Sequence, residues 1–375
     1  MNVLRAVLLA VLLAVAAATI AACGSDDEGG GSAETTETTQ PDTTAPEENE
    51  PATVRVLQPV PYGENSFFYP SYVGDELGYF DEEKIKVEIQ TASRDLPIPA
   101  FVANGDTDVG AAGSDEILTG AAQGGNYKVI YDYYTRAGDT ISVPADSDVT
   151  DLKQLEGKTL GLASQDDRVF AQTALEVAGA DPGKVSFATV GGPGPTVVSR
   201  LKSGKVAGYA SGISEAAIVE AQLPLKTVLP EGIIGRPSAS FMVQPEMIEE
   251  QPDVLERFLR AWAKATYAGI AKPEILAQMA KGRIESEFEN PRVGEEIIET
   301  SVEGQTPVDG APFGQIREDA WSEAQTQLRD AGILQKEVDL NTLFEPQFIA
   351  AANNFDKAQV DQDMENWAEE NPASG

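Results

Sequence analysis

The sequence predicts an α/β fold of two lobes with a helical C-terminal segment, and three observations carry that prediction. Short apolar strand patterns alternate with amphipathic helical ones twice over, once within 52–134 and again within 158–211. A length of 375 residues is too great for one small core and suits two of ordinary size. From Asp253 onward the pattern is helical only, with Trp321, Leu328, Phe344 and Trp367 spaced as core contacts.

The chain opens with Arg5 and an apolar run, Ala6 to Ile20, too short to span a bilayer comfortably, then small residues before Cys23. This is the pattern of an export signal, and Ile20-Ala21-Ala22-Cys23 resembles the bacterial lipobox, in which the cysteine becomes lipidated and anchors the chain. Residues 24–51 contain Gly, Ser, Thr, Pro, Asp and Glu with no aromatic or large aliphatic residue, so they bury too little to offset ordering entropy and read as a disordered acidic tether.

Ala52 to Leu57 alternates as a strand and stops at a Pro-rich turn. An aromatic stretch leads into a helix over Val73 to Tyr79, and Lys86 to Gln90 is the second strand. A helix from Leu96 to Ala103, a buried strand from Thr107 to Ala112, a helix from Asp115 to Ala122 and a strand from Lys128 to Tyr134 complete the first α/β run. The second run has a short helix at Leu152 to Leu155, then strands at Lys158 to Ala163, Val185 to Val190 and Val206 to Ser211. Helices at Val169 to Val177 and Thr196 to Lys202 join those strands. Ser238 to Val243 is an apolar strand without a partner in that run, and Asp253 to Ala268 is an amphipathic helix with Leu255, Phe258, Leu259 and Trp262 on one face. The simplest arrangement closes the helical tail back on the first lobe.

Composition excludes several chemistries. The chain has no histidine and one cysteine, which removes histidine general bases, Cys/His nucleophile pairs and the common zinc sites. No catalytic residue, metal or cofactor is predicted. The formal charge is −34; the leader holds one base and the tether nine acids, so the remainder carries about −26. Such a surface repels nucleic acid.

One segment repeats without a gap. Gly105, Ala111, Gly113 and Glu116 fall on Gly204, Ala210, Gly212 and Glu215, each copy reading as Gly turn, strand, small residues and helix. In an open α/β sheet ligands sit beyond the carboxyl ends of strands, where helix N-termini converge. Gly113, Ser114 and Asp115 are therefore ligand candidates, although Ser114 and Asp115 suit helix capping equally well. The facing candidates are Ser164, Gln165 and Asp166, with Tyr209 and Ser211. Aromatics gather near the strand ends (Tyr62, Phe67, Phe68, Tyr69, Tyr131, Tyr133, Tyr134, Tyr209), where rings can stack on a planar ligand; Tyr62, Asn65, Phe68 and Tyr133 join the candidate set.

The runs GDTDVGAAGSDEILTGAAQGG, SDVTDLKQLEGKTLGL and AGADPGKVSF…LKSGKVAGYASG resemble solute-binding proteins of ATP-driven (ABC) importers, in the branch for nitrate, sulfonates, taurine and the pyrimidine precursor of thiamine. The resemblance covers Val54 to about Trp262. It implies the type II periplasmic-binding-protein fold, with two hinge crossovers and a small-molecule solute trapped by closure. On that scheme the crossovers are Ile141 to Ala145 and Ser238 to Val243, the first lobe is 52–142 with 241–375, and the second is 143–240. The implied partners are a membrane permease and, through the Cys23 lipid, the extracytoplasmic face of the membrane, with the protein a monomer. The acids at Asp166 and Asp167 point away from nitrate and sulfonates and toward a pyrimidine-like or amine-bearing solute, whereas Arg136 and Arg168 point the other way. Other readings are an anion-binding member of the same family, a ligand-sensing surface lipoprotein, and an exported enzyme that works with carboxylates alone.

Overall fold

A computed structural model describes residues 50–59, 66–92, 96–165 and 167–372. Residues 49–375 form one compact unit, which holds two five-stranded sheets. The first sheet contains β1 (Ala52–Gln58), β2 (Ile85–Thr91), β3 (Val109–Ala112), β4 (Lys128–Tyr134) and β10 (Ala239–Val243), in the order β2-β1-β3-β10-β4. The second contains β5 (Asp139–Pro144), β6 (Thr159–Leu162), β7 (Ser186–Thr189), β8 (Gly208–Gly212) and β9 (Leu225–Thr227), in the order β7-β6-β8-β5-β9.

Helical connections make β1, β2 and β3 parallel, as they do β6, β7 and β8. The strands that follow a change of sheet run the other way: β10 is antiparallel to β3 and β4, and β5 to β8 and β9. The sheets are therefore mixed, and the strand at 238–243 that lacked a partner in the second run has two in the first. The chain changes sheet within 135–138 and again within 228–238, earlier in both cases than the expected crossovers. Asp139 to Ser142 already pair with β8, and Ala239 and Ser240 already pair with β4.

The two crossovers lie side by side. The Ser238 amide donates to the Tyr134 carbonyl at 3.0 Å, and the Ala137 amide to Ile234 at 2.9 Å. Arg317 clamps both, its Nη2 donating to the Thr135 carbonyl at 2.6 Å and the Gly235 carbonyl at 2.5 Å.

Helix Pro252–Ala271 lays Leu255, Phe258, Leu259 and Trp262, all fully buried, on one face of the first sheet. The aromatic helix starts at Tyr69, four residues before expectation, because Pro70 at its first turn has φ preset for a helix. Trp321 and Leu328 are core on the opposite face, as their spacing implies. The tail is not confined to the first sheet. Helix Pro291–Gln305 packs Val293 and Ile297 on Ala217 of helix Ile213–Glu220, and helix Glu318–Asp330 touches helix Asp167–Val177.

Candidate functional site

The repeated segment is repeated in three dimensions. Gly105 and Gly204, at φ +76° and +67°, end a helix in the left-handed region that favours glycine. β3 and β8 then run to Gly113 and Gly212, each the N-cap of the next helix, Ser114–Ala122 and Ile213–Glu220. A Cβ on Gly113 would lie 3.2 Å from the Ser238 carbonyl oxygen, so the second crossover passes against that glycine. The first free amide of each helix is taken by a crossover: Ser114 N–H donates to Pro237 at 3.2 Å and Ile213 N–H to Gly138 at 3.0 Å. These junctions hold the hinge.

A cavity of about 850 Å³ opens beside them. Its walls are helices Ile98–Asn104 and Ser114–Ala122, both crossovers (Ala137, Gly138, Ile233, Arg236, Pro237 and Ser238), Asp139 at the start of β5, Val169 and Phe170 from the helix after β6, and Ile333 from the tail. Most of the lining is apolar, with a few convergent polar groups, the usual make-up of a small-molecule site. Asp115 forms an ion pair with Arg236, which is buried in the second crossover. Glu116 lies half-buried in the same wall, with its Oε1 accepting from Ile98 N–H at 2.8 Å; burial pushes its carboxyl up to about 7, against a weaker pull from that amide.

Of the twelve candidate ligand residues, Gly113, Ser114 and Asp115 line this cavity. Asp115 does so as the partner of Arg236, a contact across 121 residues of sequence that no local pattern reveals. Tyr62, Asn65 and Asp166 lie outside the described residues, as does Cys23. Phe68 and Tyr133 belong to the core: they pack on each other at 5.6 Å between ring centres, and Tyr133 stacks on Phe241 at 4.6 Å. Tyr209 is fully buried and its hydroxyl donates to the Gly191 carbonyl at 3.2 Å, fixing the loop after β7. Ser211 is also fully buried, its Oγ donating to Gly212 at 3.1 Å. The Ser164 amide and hydroxyl donate to the carboxylate of Asp167, the first residue of the following helix, at 2.5 and 2.8 Å, and Gln165 accepts from Thr189 at 3.4 Å. Thus the cluster assembled from the first junction stays together, whereas in the one assembled from the second Tyr209 and Ser211 turn inward to backbone carbonyls and Ser164 and Gln165 pair with the side chains of Asp167 and Thr189.

The residues that sequence reasoning missed are Glu116, Asp139, Phe170, Arg236 and Ser238. Glu116 carried a signal, since it was one of the four repeated positions. Arg236 stood in Gly235-Arg236-Pro237, a turn where a cation has no local structural duty.

Among solved structures, the chain is similar to the periplasmic aliphatic sulphonate binding protein SsuA of Escherichia coli. The two are 12% identical with a TM-score of 0.61, over 79% of this chain and 93% of that one. It is also similar to the Candida albicans CA3427 gene product, described as having the generic periplasmic binding protein fold: 14% identical, TM-score 0.57, covering 78% and 96%. The desulfurization enzyme DSZB is 15% identical with a TM-score of 0.54, covering 81% and 99%. At these identities the likeness shows the fold, the two-lobed periplasmic-binding-protein architecture expected from the sequence. Curated protein sequences contain no match. A family model described as NMT1/THI5 like matches residues 65–275, more than half of the chain and all of β2 to β10, and so the chain belongs to the NMT1/THI5-like family.

Proposed function

We propose that the protein is the extracytoplasmic substrate-binding component of an ABC importer, which captures a small organic solute between two lobes and delivers it to a membrane permease. The observation that carries this is the 850 Å³ cavity, bounded by helices of both sheets and floored by the paired crossovers on which the lobes can turn. The first lobe is built on β1 to β4 and β10, the second on β5 to β9. Cys23 carries the lipid that holds the protein at the membrane, and residues 24–51 give it reach. Binding needs no turnover, so no catalytic group is assigned, in keeping with the structural neighbours described as binding proteins.

An amine-bearing or pyrimidine-like solute is preferred, because the lining holds three acids (Asp115, Glu116 and Asp139) against one base, Arg236. The second reading is a sulfonate. It draws on Arg236 and on the solved relative described as a sulphonate-binding protein.

A thermal-shift screen of the full chain against amines, pyrimidines, sulfonates and nitrate tests this. A true solute at a hundred times its Kd stabilises the protein by roughly 2.7 kcal/mol, and X-ray scattering should show the particle contract with it. A stabilising compound turned over to product would move the protein to the enzyme class. Absence of any shift or contraction across all four groups would remove the transport reading.

A further inference from the structure

The chemistry of the cavity wall narrows the solute further, resting on the reading of that cavity as the capture site. Four charged residues line it. Asp115 and Arg236 neutralise each other as an ion pair, and Asp139 has a partner of its own. Glu116 has no counter-charge: among the described residues its one partner is the neutral Ile98 amide, 2.8 Å away. A desolvated carboxylate ordinarily sits opposite a cation, and burial pushing this one up to about 7 is the mark of a site where the protein supplies none.

A second anomaly lies at the crossover floor. Arg236 is 5% exposed, yet its Nε–H is buried without an acceptor among the described residues. The Ser238 hydroxyl, two residues on in the same crossover, is likewise buried without a partner among the described residues. Native structures rarely leave such donors unmet unless something else meets them. Both residues line the cavity.

We propose that the cavity takes an organic solute with an apolar body and two polar ends: an amine or ammonium that meets Glu116, and an oxygen or nitrogen acceptor that meets Arg236 Nε–H and the Ser238 hydroxyl. A simple anion such as an alkanesulfonate satisfies only the second end, and brings its charge to an arginine already neutralised by Asp115. A simple alkylammonium satisfies only the first. The apolar walls, with Leu96, Pro99, Phe170 and Ile233, receive the body between the ends.

A matched series of one chain length separates these cases: 6-aminohexanoate, hexylamine, hexanoate and hexane-1-sulfonate, titrated calorimetrically into the full chain. The amino acid should bind about tenfold or more tighter than each of the three single-ended molecules, with the sulfonate weakest. Glu116→Gln should erase the advantage over hexanoate, and Ser238→Ala should reduce the advantage over hexylamine. If either variant fails to fold, the wild-type order of affinities still decides. The two-ended assignment is overturned if hexylamine, hexanoate or the sulfonate binds tightest, if the amino acid does not bind, or if folded variants keep the wild-type order. Should it fall while another solute contracts the protein in scattering, the transport function stands; should no solute of any class do so, both fall together.

Discussion

Tyr133 and Tyr209 each end up near a strand tip, and each is turned inward for a different reason. The Tyr133 ring is held by Phe68, Phe241 and Trp262, and among the described residues its buried hydroxyl has no partner. Tyr133→Phe removes that unmet group and keeps the ring, so stability measured by chemical denaturation should hold or rise by up to about 1 kcal/mol. A fall of that size would place a hidden partner on the hydroxyl. Glu116 makes a second residue-scale prediction. Its folded pKa, about 7, lies above the ordinary 4.5, because burial disfavours the charged form. A raised carboxyl contributes stability that is fully present below pH 4.5 and is lost as pH rises through about 7. Glu116→Gln keeps an acceptor for Ile98 N–H and has no charge to bury. Its melting temperature should match the wild type near pH 4.5 and exceed it at pH 8, by about 2 °C or more. Equal melting temperatures at both pH values would show that the carboxyl is not desolvated.

At the scale of elements, the crossovers are the feature that joins fold to function. β4 and β10 are adjacent, so the chain leaves for the second sheet and returns at neighbouring points, and the two linking strands hydrogen-bond to each other. Asp132 at the end of β4 anchors this region: Ser240 Oγ donates to it at 2.6 Å, Trp321 Nε1 at 3.0 Å and the Arg317 amide at 3.2 Å. Burial nevertheless pushes the Asp132 carboxyl up to about 6 despite those donors. Arg317 adds the guanidinium bonds to Thr135 and Gly235, which tie the helical tail to both linkers. Arg317→Ala should destabilise the protein by about 3 kcal/mol, the scale of charge-assisted bonds to carbonyls left unmet. Amide exchange should quicken at Ala137 and Ser238 more than in β1. Uniform protection would mean that the linkers are held by their mutual bonds alone.

The whole molecule carries a formal charge of −34, and acids in excess over bases repel one another across the surface. Raising NaCl from about 0.01 M to about 0.5 M shrinks the reach of that repulsion from roughly 30 Å to under 10 Å, so the melting temperature should rise with salt. A fall would mean that surface ion pairs such as Arg55–Asp108 outweigh the net repulsion. The tail helices also act at this scale. By touching both Ala217 and the helix Asp167–Val177, they span the two lobes and must slide or release if the lobes rotate. Among the described residues no helix is long and apolar enough to cross a membrane.

The amino-acid order by itself determined the α/β rhythm, the strand at Lys128–Tyr134 to the residue, the glycine stops at 105 and 204, and the equivalence of the Gly113 and Gly212 junctions. All of these follow from local chemistry: period, turn residues and caps act over a few positions. Local signals failed where the element was short, as with β9 at three residues, or where a strand changed sheets, as with β5. Tertiary structure alone decided which junction opens onto a cavity. Asp115 finds Arg236, Ser164 turns to Asp167, and Tyr209 reaches Gly191, and nothing in the neighbourhood of each residue distinguishes those fates. An ion pair across 121 residues, or a hydroxyl stranded beside a cavity, exists only once distant segments share a wall. Burial then sets the charge and hydrogen-bonding state of each group, and with it the chemistry the site can offer.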